Sequence, residues 1–175
     1  MYSLQKCFDI TKAPLDVNSC VASPKLDGAA VSLLYVDGNL ELALTRGDGI
    51  HGRDITDKMR MLVPTEIRNT GLIQVTGEVV APREIPNARN FAAGALGLKS
   101  LTEFSTRPLV FVAYDALPRQ ASHYEGSMTV LRMMGLREVT TFDCSRYPTD
   151  GVVYRLKDSV EFERLGYTSK HPRGA

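Results

Sequence analysis

The sequence contains little that assigns a class by composition alone. It has only three cysteines in 175 residues (Cys7, Cys20 and Cys144), and their number and spacing give neither a disulfide framework nor a paired-cysteine metal site. We therefore expect a reducing, cytoplasmic compartment. No apolar run approaches the ~20 residues of a membrane span, and the N-terminus lacks a signal-peptide pattern, so no membrane association is expected.

Charge of one sign is not in excess either. The 21 basic and 20 acidic residues leave a net charge of +1, so any nucleic-acid binding must come from a local patch. A hydrophobic content of 43% and a charged content of 23% are typical of a soluble globular protein. The length predicts one domain over residues 1–175, with residues 1–22 as a leading segment.

Hydrophobic periodicity predicts more strands than helices, connected mostly to their sequence neighbours. Asp37-Gly38 is a two-residue hairpin signal between the first two strands. Strands are predicted over 31–35, 40–45, 72–82, 109–114, 139–142 and 151–156, and helices over 54–61, 88–98, 122–134 and 159–165. The fold class is therefore predicted to be α+β with antiparallel sheets.

Residues 23–28 (SPKLDG) are the stretch around which the other motifs are arranged. We predict that Lys25 lies on a short turn at the mouth of the hairpin, where Gly28 lets the backbone approach a ligand. Glu78 follows in an apolar strand, Tyr114 ends an apolar run, and Asp150 begins the segment DGVVYR. Each alone is an ordinary surface or core residue, so only their joint occurrence in this order carries information.

In this order the motifs resemble those of the covalent nucleotidyltransferases, which comprise DNA ligases, RNA ligases and capping enzymes. Finer features resemble the bacterial-type NAD+-dependent DNA ligases: KLDGAAVS at 25–32, TRGDG at 45–49, ARNFAAGAL at 88–96, LGYT at 165–168, and the opening residues Met1, Ser3, Leu4 and Phe8. ATP-dependent ligases usually have an arginine where this chain has Ala30. The resemblance covers nearly the whole chain.

The resemblance implies a nucleotidyltransferase (ATP-grasp-like) fold with antiparallel sheets flanking a nucleotide cleft. It also implies a three-step reaction with NAD+ as AMP donor and Mg2+ as cofactor. The lysine takes AMP and releases nicotinamide mononucleotide. The AMP passes to the 5′-phosphate of nicked double-stranded DNA, and the 3′-hydroxyl then displaces it to seal the nick.

The resemblance also assigns roles to individual residues. The catalytic residues are expected to be Lys25, Asp27, Glu78 and Asp150, with Glu78 and Asp150 as Mg2+ ligands and Arg89 as a DNA-backbone contact. The nucleotide-binding residues are expected to be Ser3, Leu4, Ser23, Lys25, Gly28, Arg46, Glu78, Tyr114, Val153 and Arg155. Tyr114 and Val153 would be the two walls of an adenine slot, while Arg46 and Arg155 would meet phosphate charge.

The attacking lysine must be neutral, and deprotonating an ordinary lysine at neutral pH costs on the order of 4 kcal/mol. A carboxylate paired with the ammonium would raise that cost. We therefore expect the carboxylates to bind sugar hydroxyls and metal rather than the ammonium, with orientation of the lysine as an alternative role for Asp150.

The sequence departs from the family pattern at three internal positions and at both ends. Ser23 stands where the family has a glutamate that recognises the adenine amino group. Gly97 stands in place of an arginine, and Arg155 in place of a lysine. The module that grips nicotinamide mononucleotide, motif V, the oligonucleotide-binding barrel and the zinc site are not in the sequence. A fragment, a degenerate homologue and one chain of a split ligase all fit. We expect the split enzyme, such as a phage might encode, with a second subunit supplying the missing parts.

Two other functions fit part of the pattern. In the first alternative, the chain is a non-catalytic module that binds nucleic acid or a partner. Such a module has no need of Lys25, Glu78 and Asp150 together. Alternatively it would be an ATP-dependent polynucleotide ligase or capping-type enzyme, against which Ala30 and the segment 45–56 count.

Overall fold

The computed structural model describes residues 4–46, 51–168 and 171–175. Its strands are β1 (Cys20–Leu26), β2 (Ala29–Val36), β3 (Asn39–Thr45), β4 (Leu72–Val80), β5 (Val110–Leu117), β6 (Arg137–Glu138) and β7 (Thr149–Leu156). Its helices are α1 (Thr56–Met59), α2 (Ala88–Leu96), α3 (Leu101–Ser105), α4 (Tyr124–Met133) and α5 (Ser159–Leu165), with 3-10 turns at Ile10–Lys12 and Val17–Ser19.

The strands form two sheets. The larger sheet has the order β3-β2-β4-β5-β6, and the smaller one consists of β1 and β7. Every pairing is antiparallel except that between β5 and β6. The predicted α+β class with mainly antiparallel sheets is therefore confirmed. None of the described helices has the length and apolar character needed to cross a membrane.

The hairpin of β2 and β3 forms where the sequence predicted it. Its turn residues Asp37 and Gly38 have φ angles of 47° and 86°, the left-handed conformation that a two-residue hairpin turn requires. Along β2, alternate residues Val31, Leu33 and Tyr35 are fully buried. The period of two thus places one face of β2 in the core.

The two faces of the larger sheet have different partners. One face carries Val31, Val75 and Phe111 and forms the main core with the apolar residues of α1 to α4. Because side chains alternate along a strand, Glu78 shares the opposite face of β4 with Val80. Leu26 at the end of β1 packs against Val80 on this second face, together with Val112, Val139 and Cys144. This contact brings the end of β1 next to Glu78.

Three local predictions need correction. The strand predicted over 139–142 was wrong: these residues form a turn after the two-residue β6, and Val139 is apolar because it packs on the second face of the larger sheet. The helix predicted over 54–61 has only the four residues of α1, and Asp54 accepts a hydrogen bond from the Thr56 amide at 2.9 Å. Helix α3 was not predicted, although Ser100 caps it by accepting from the Glu103 amide.

Candidate active site

Lys25 lies inside strand β1, so the prediction of a turn at this residue was wrong. Its neighbours Pro24 and Leu26 pair with Val152 and Thr149 of β7, and the register shifts between those two pairs, at Lys25. The local sequence could not show this, because β7 follows β1 by more than 120 residues. The turn is instead formed by the next two residues, between β1 and β2.

The Lys25 ammonium forms an ion pair with Asp150, the second residue of β7. Its Nζ donates to Asp150 Oδ1 at 3.0 Å and to Oδ2 at 3.2 Å, and both side chains are partly exposed. The pair differs from the expectation that the carboxylates would avoid the ammonium and is compatible with the alternative role of Asp150, orientation of the lysine, which stays a prediction. A paired ammonium is the charged, non-nucleophilic form of lysine, so Lys25 must give up a proton before it can attack.

Glu78 lies on β4 opposite Ala30 of β2, and its Oε1 accepts a hydrogen bond from the Gly28 amide at 3.2 Å. Burial raises the pKa of this carboxyl from 4.5 to about 7. The Gly28 hydrogen bond and the charge of Lys25 oppose this rise without cancelling it, while the charge of Asp27 adds to it. Near neutral pH the side chain therefore exchanges between a neutral acid and a carboxylate.

Packing alone requires a glycine at position 28, and the predicted approach of a ligand there stays a prediction. A Cβ at this position would lie 2.2 Å from the carbonyl oxygen of Val79 and 2.8 Å from a methyl group of Val80. The chain after β1 therefore runs directly against β4, and this is what lets the Gly28 amide reach Glu78. The sequence predicted the need for glycine here but gave a different reason.

Asp27 contacts Arg89, the second residue of α2, with 3.6 Å between Oδ1 and Nε. The Arg89 side chain is two-thirds exposed. A pair this exposed contributes little to stability, so Arg89 can exchange Asp27 for another anion at small cost. Its predicted contact with a DNA backbone stays a prediction.

Tyr114 and Arg46 lie within electrostatic reach of this group. Burial raises the pKa of the Tyr114 hydroxyl, the charge of Glu78 raises it further, and the charge of Arg46 lowers it. The Arg46 amide donates to the Ala30 carbonyl at 3.0 Å, opposite Glu78 in the sheet. The structure thus brings Glu78, Tyr114 and Arg46 to one part of the second sheet face.

Of the remaining predicted nucleotide-binding residues, two lie together on the smaller sheet, while the roles of two others stay predictions. Ser23 is buried and pairs directly with Val153 across β1 and β7, so the two residues share one face of the smaller sheet. Leu4 is half-buried, and its predicted role at the nucleotide stays a prediction. Ser3 lies outside the described residues.

Arg155 has a partner that the sequence did not predict. Its Nη2 donates to Asp115 Oδ1 at 3.3 Å, and the residue is only 8% exposed. The predicted phosphate contact therefore requires this arginine to leave a carboxylate that already balances its charge. Asp115 was missed, although a carboxylate within the apolar run 109–117 was a signal that a buried cation lies nearby.

The geometry fits the expected Mg2+ only in part. Among residues 4–46, 51–168 and 171–175, no group of three or more histidine, cysteine or acidic side chains is placed to hold a metal ion. Mg2+ commonly uses one or two carboxylates and completes its shell with substrate phosphates and water. Glu78 and Asp150 therefore fit a magnesium site only if a bound nucleotide supplies the other ligands.

The expected nucleotide cleft is not outlined by the described cavities. One groove of about 380 Å³ reaches Pro24 and Thr149, the chain neighbours of Lys25 and Asp150. None of the predicted site residues lines it.

Comparison with known proteins identifies the family. The model of the NAD-dependent DNA ligase adenylation domain matches residues 3–145, and the chain belongs to this family.

The chain is also similar to curated proteins named DNA ligase. It is 35% identical over 203 aligned residues to the DNA ligase of Shewanella frigidimarina, covering 89% of this chain and 30% of that protein. It is 31% identical to the DNA ligase of Campylobacter concisus, covering 87% of this chain and 30% of that protein. The chain thus spans about three-tenths of the length of the curated relatives it matches.

Proposed function

We propose that this chain is the nucleotidyltransferase part of an NAD+-dependent DNA ligase and that Lys25 accepts AMP from NAD+. The AMP then passes to the 5′-phosphate of nicked double-stranded DNA, and the 3′-hydroxyl displaces it. Family membership supports the class of reaction. The assignment to Lys25 is supported by one observation above all: segments distant in sequence meet beside this residue, with Asp150 3.0 Å from Nζ and Glu78 hydrogen-bonded to the turn that follows β1.

In the first step, Lys25 Nζ forms a bond to the α-phosphorus of NAD+. The bond from that phosphorus to the bridging oxygen of nicotinamide mononucleotide breaks, and the leaving phosphate keeps the electron pair. The Lys25 ammonium loses one proton to become the attacking amine, and the amine releases a second proton as the bond to phosphorus forms. Asp150 is a suitable first acceptor, because its carboxylate already holds the ammonium and lies partly open to solvent.

Arg46 and Glu78 have complementary roles in this proposal. Arg46 offers a permanent positive charge near Tyr114 and suits the charge that develops on the phosphate. When it is ionised, Glu78 accepts a hydrogen bond from a sugar hydroxyl or contributes to a magnesium site. Because its pKa is about 7, either role of the carboxylate weakens as the pH falls below neutral.

Intact-mass spectrometry tests the proposal. Incubation with NAD+ and Mg2+ is expected to add the mass of one AMP, and Lys25→Ala is expected to abolish the adduct. The exposed Lys99 provides the matched control, since Lys99→Ala should leave the adduct unchanged. An adduct with ATP but none with NAD+ would contradict the cofactor assignment. No adduct with either nucleotide would favour a binding module.

We further propose that a second chain supplies the module for nicotinamide mononucleotide, motif V and the oligonucleotide-binding barrel. The curated relatives extend well beyond the stretch that matches this chain, so further parts of such an enzyme, on the same chain or on a second one, would act together with it. The test is to recover the protein from its native source and identify any chain that purifies with it. A partner that accelerates adduct formation from NAD+ is the expected result, whereas full nick sealing by this chain alone would refute the need for one.

A further inference from the structure

A partly buried cluster of four charged residues connects the two sheets beside the proposed site. It consists of Asp115 on β5, Arg119 after β5, Arg155 on β7 and Glu163 on α5. Asp115 Oδ1 accepts from Arg119 Nη1 and from Arg155 Nη2, the latter at 3.3 Å. Arg119 also donates to Glu163 through Nε at 3.0 Å and Nη2 at 2.7 Å. The two positive and two negative charges balance.

Arg155 is enclosed by this cluster and by two aromatic rings. Its guanidinium carbon lies 4.4 Å from the centre of the Tyr124 ring and 4.2 Å from that of the Phe162 ring. Stacked cations at such distances are attracted by the ring faces, more strongly when they are desolvated. The Nε atom is buried and has no hydrogen-bond partner within the described part of the chain. The pairing of Nη2 with Asp115, the two rings and an exposure of only 8% leave a phosphate little access to this guanidinium.

The cluster is attached to both proposed walls of the adenine slot. Asp115 directly follows Tyr114, whose carbonyl accepts a hydrogen bond of 2.7 Å from the Tyr124 hydroxyl. Arg155 lies two residues after Val153 on β7, so both residues share one face of that strand. The Asp115–Arg155 pair therefore connects the wall on the larger sheet to the wall on the smaller one.

We propose that Asp115 is a positioning residue for nucleotide binding. By holding Arg155, it fixes the distance between Tyr114 and Val153, and Arg155 serves this pairing instead of contacting phosphate. The inference rests on the proposed function, because the slot is expected to receive the adenine of NAD+. Arg155 would thus contribute to affinity for the nucleotide and not to the rate of AMP transfer.

The test compares AMP affinity, measured by isothermal titration calorimetry, with the rate of AMP transfer to Lys25 at saturating NAD+. Asp115→Asn is expected to weaken AMP binding about tenfold, equivalent to about 1.4 kcal/mol. The rate at saturation should change less than threefold. Arg155→Lys keeps the charge and should recover part of the affinity that Arg155→Gln loses. The exposed pair of Arg164 and Glu161 on α5 supplies the control, since Arg164→Gln should change neither quantity.

A phosphate-binding Arg155 predicts the opposite pattern. Arg155→Gln would then lower the saturating rate, while Asp115→Asn would leave AMP affinity unchanged or improve it, and either result overturns the inference. The double variant Asp115→Asn/Arg155→Gln should lose no more affinity than the weaker-binding single variant, because both changes break one interaction. Additive losses would also overturn it.

The inference and the proposed function fail in different measurements. Wild-type protein that binds AMP but never forms the adduct refutes AMP transfer, while the affinity comparison still decides the role of Asp115. Wild-type protein that does not bind AMP refutes both. Circular dichroism at the assay temperature identifies any variant that does not fold. If Arg155→Gln does not fold, Asp115→Asn and Arg155→Lys alone decide whether Asp115 positions Arg155.

Discussion

Glu78→Gln is expected to stabilise the ligand-free protein, and increasingly so as the pH rises. The Glu78 pKa is about 7 in the folded chain against an ordinary value of 4.5, so the folded state binds the proton more tightly than the unfolded state does. The contribution of Glu78 to the stability of the wild type must then fall as the pH rises from 4.5 through 7. The full loss is on the order of 3 kcal/mol, since each pKa unit corresponds to 1.36 kcal/mol.

Glutamine removes the charge but keeps the oxygen that accepts the Gly28 hydrogen bond. The difference in unfolding free energy between Glu78→Gln and wild type should therefore grow by about 2 kcal/mol between pH 5.5 and 8.5. Urea unfolding followed by circular dichroism at several pH values measures this directly. Glu41→Gln, on the exposed side of β3, is the control and should give a difference that hardly depends on pH.

A difference for Glu78→Gln that does not vary with pH would refute this reasoning. It would mean that the carboxyl is less desolvated than the structure indicates. A variant that is less stable than wild type at every pH would instead show that the ionised carboxylate has a favourable partner. Adding AMP and Mg2+ should reduce the gap, because a bound cation favours the ionised form of Glu78.

Three further variants test the packing around the site. Gly28→Ala should destabilise by about 1–3 kcal/mol because its Cβ would meet the Val79 carbonyl, whereas Gly94→Ala in α2, where the space is open, should stabilise by up to about 1 kcal/mol; thermal unfolding measures both. Glu138→Gln should lower the free energy of unfolding by about 2 kcal/mol at neutral pH. Burial opposes ionisation of Glu138, but hydrogen bonds from two threonines hold its pKa below 4.5. Its contribution to stability is therefore lost as the pH falls, and the effect of the variant should shrink in acid. Tyr35→Phe should cost about 1 kcal/mol in urea unfolding, because its buried hydroxyl donates to a backbone carbonyl at 2.7 Å; no loss would mean that water replaces that bond.

Features set by neighbouring residues could be predicted from the sequence. The hairpin of β2 and β3 follows from alternating apolar residues and from Asp37-Gly38, whose backbone adopts the required turn conformation. Strands β4 and β5 were found because each is a long apolar or alternating run. The predicted class followed from these strands.

Features set by distant residues could not be predicted. Lys25 belongs to a strand only because β7 pairs with β1. The residue pattern near position 25 cannot indicate a partner such as Asp150, which is 125 positions away. The cluster around Asp115 combines residues from three separate elements, so each looked like an ordinary charge in its own segment. Val139 illustrates the opposite error, in which burial on a sheet face imitates the pattern of a strand.

The most direct test of the central claim is to locate the AMP on the protein. The chain is incubated with Mg2+ and NAD+ labelled at the adenylate phosphate, then digested and mapped by tandem mass spectrometry. The label is expected on Nζ of Lys25, the amine that lies 3.0 Å from Asp150. Label on another residue, or on none while the protein demonstrably binds AMP, would contradict the assignment of Lys25 as the nucleophile.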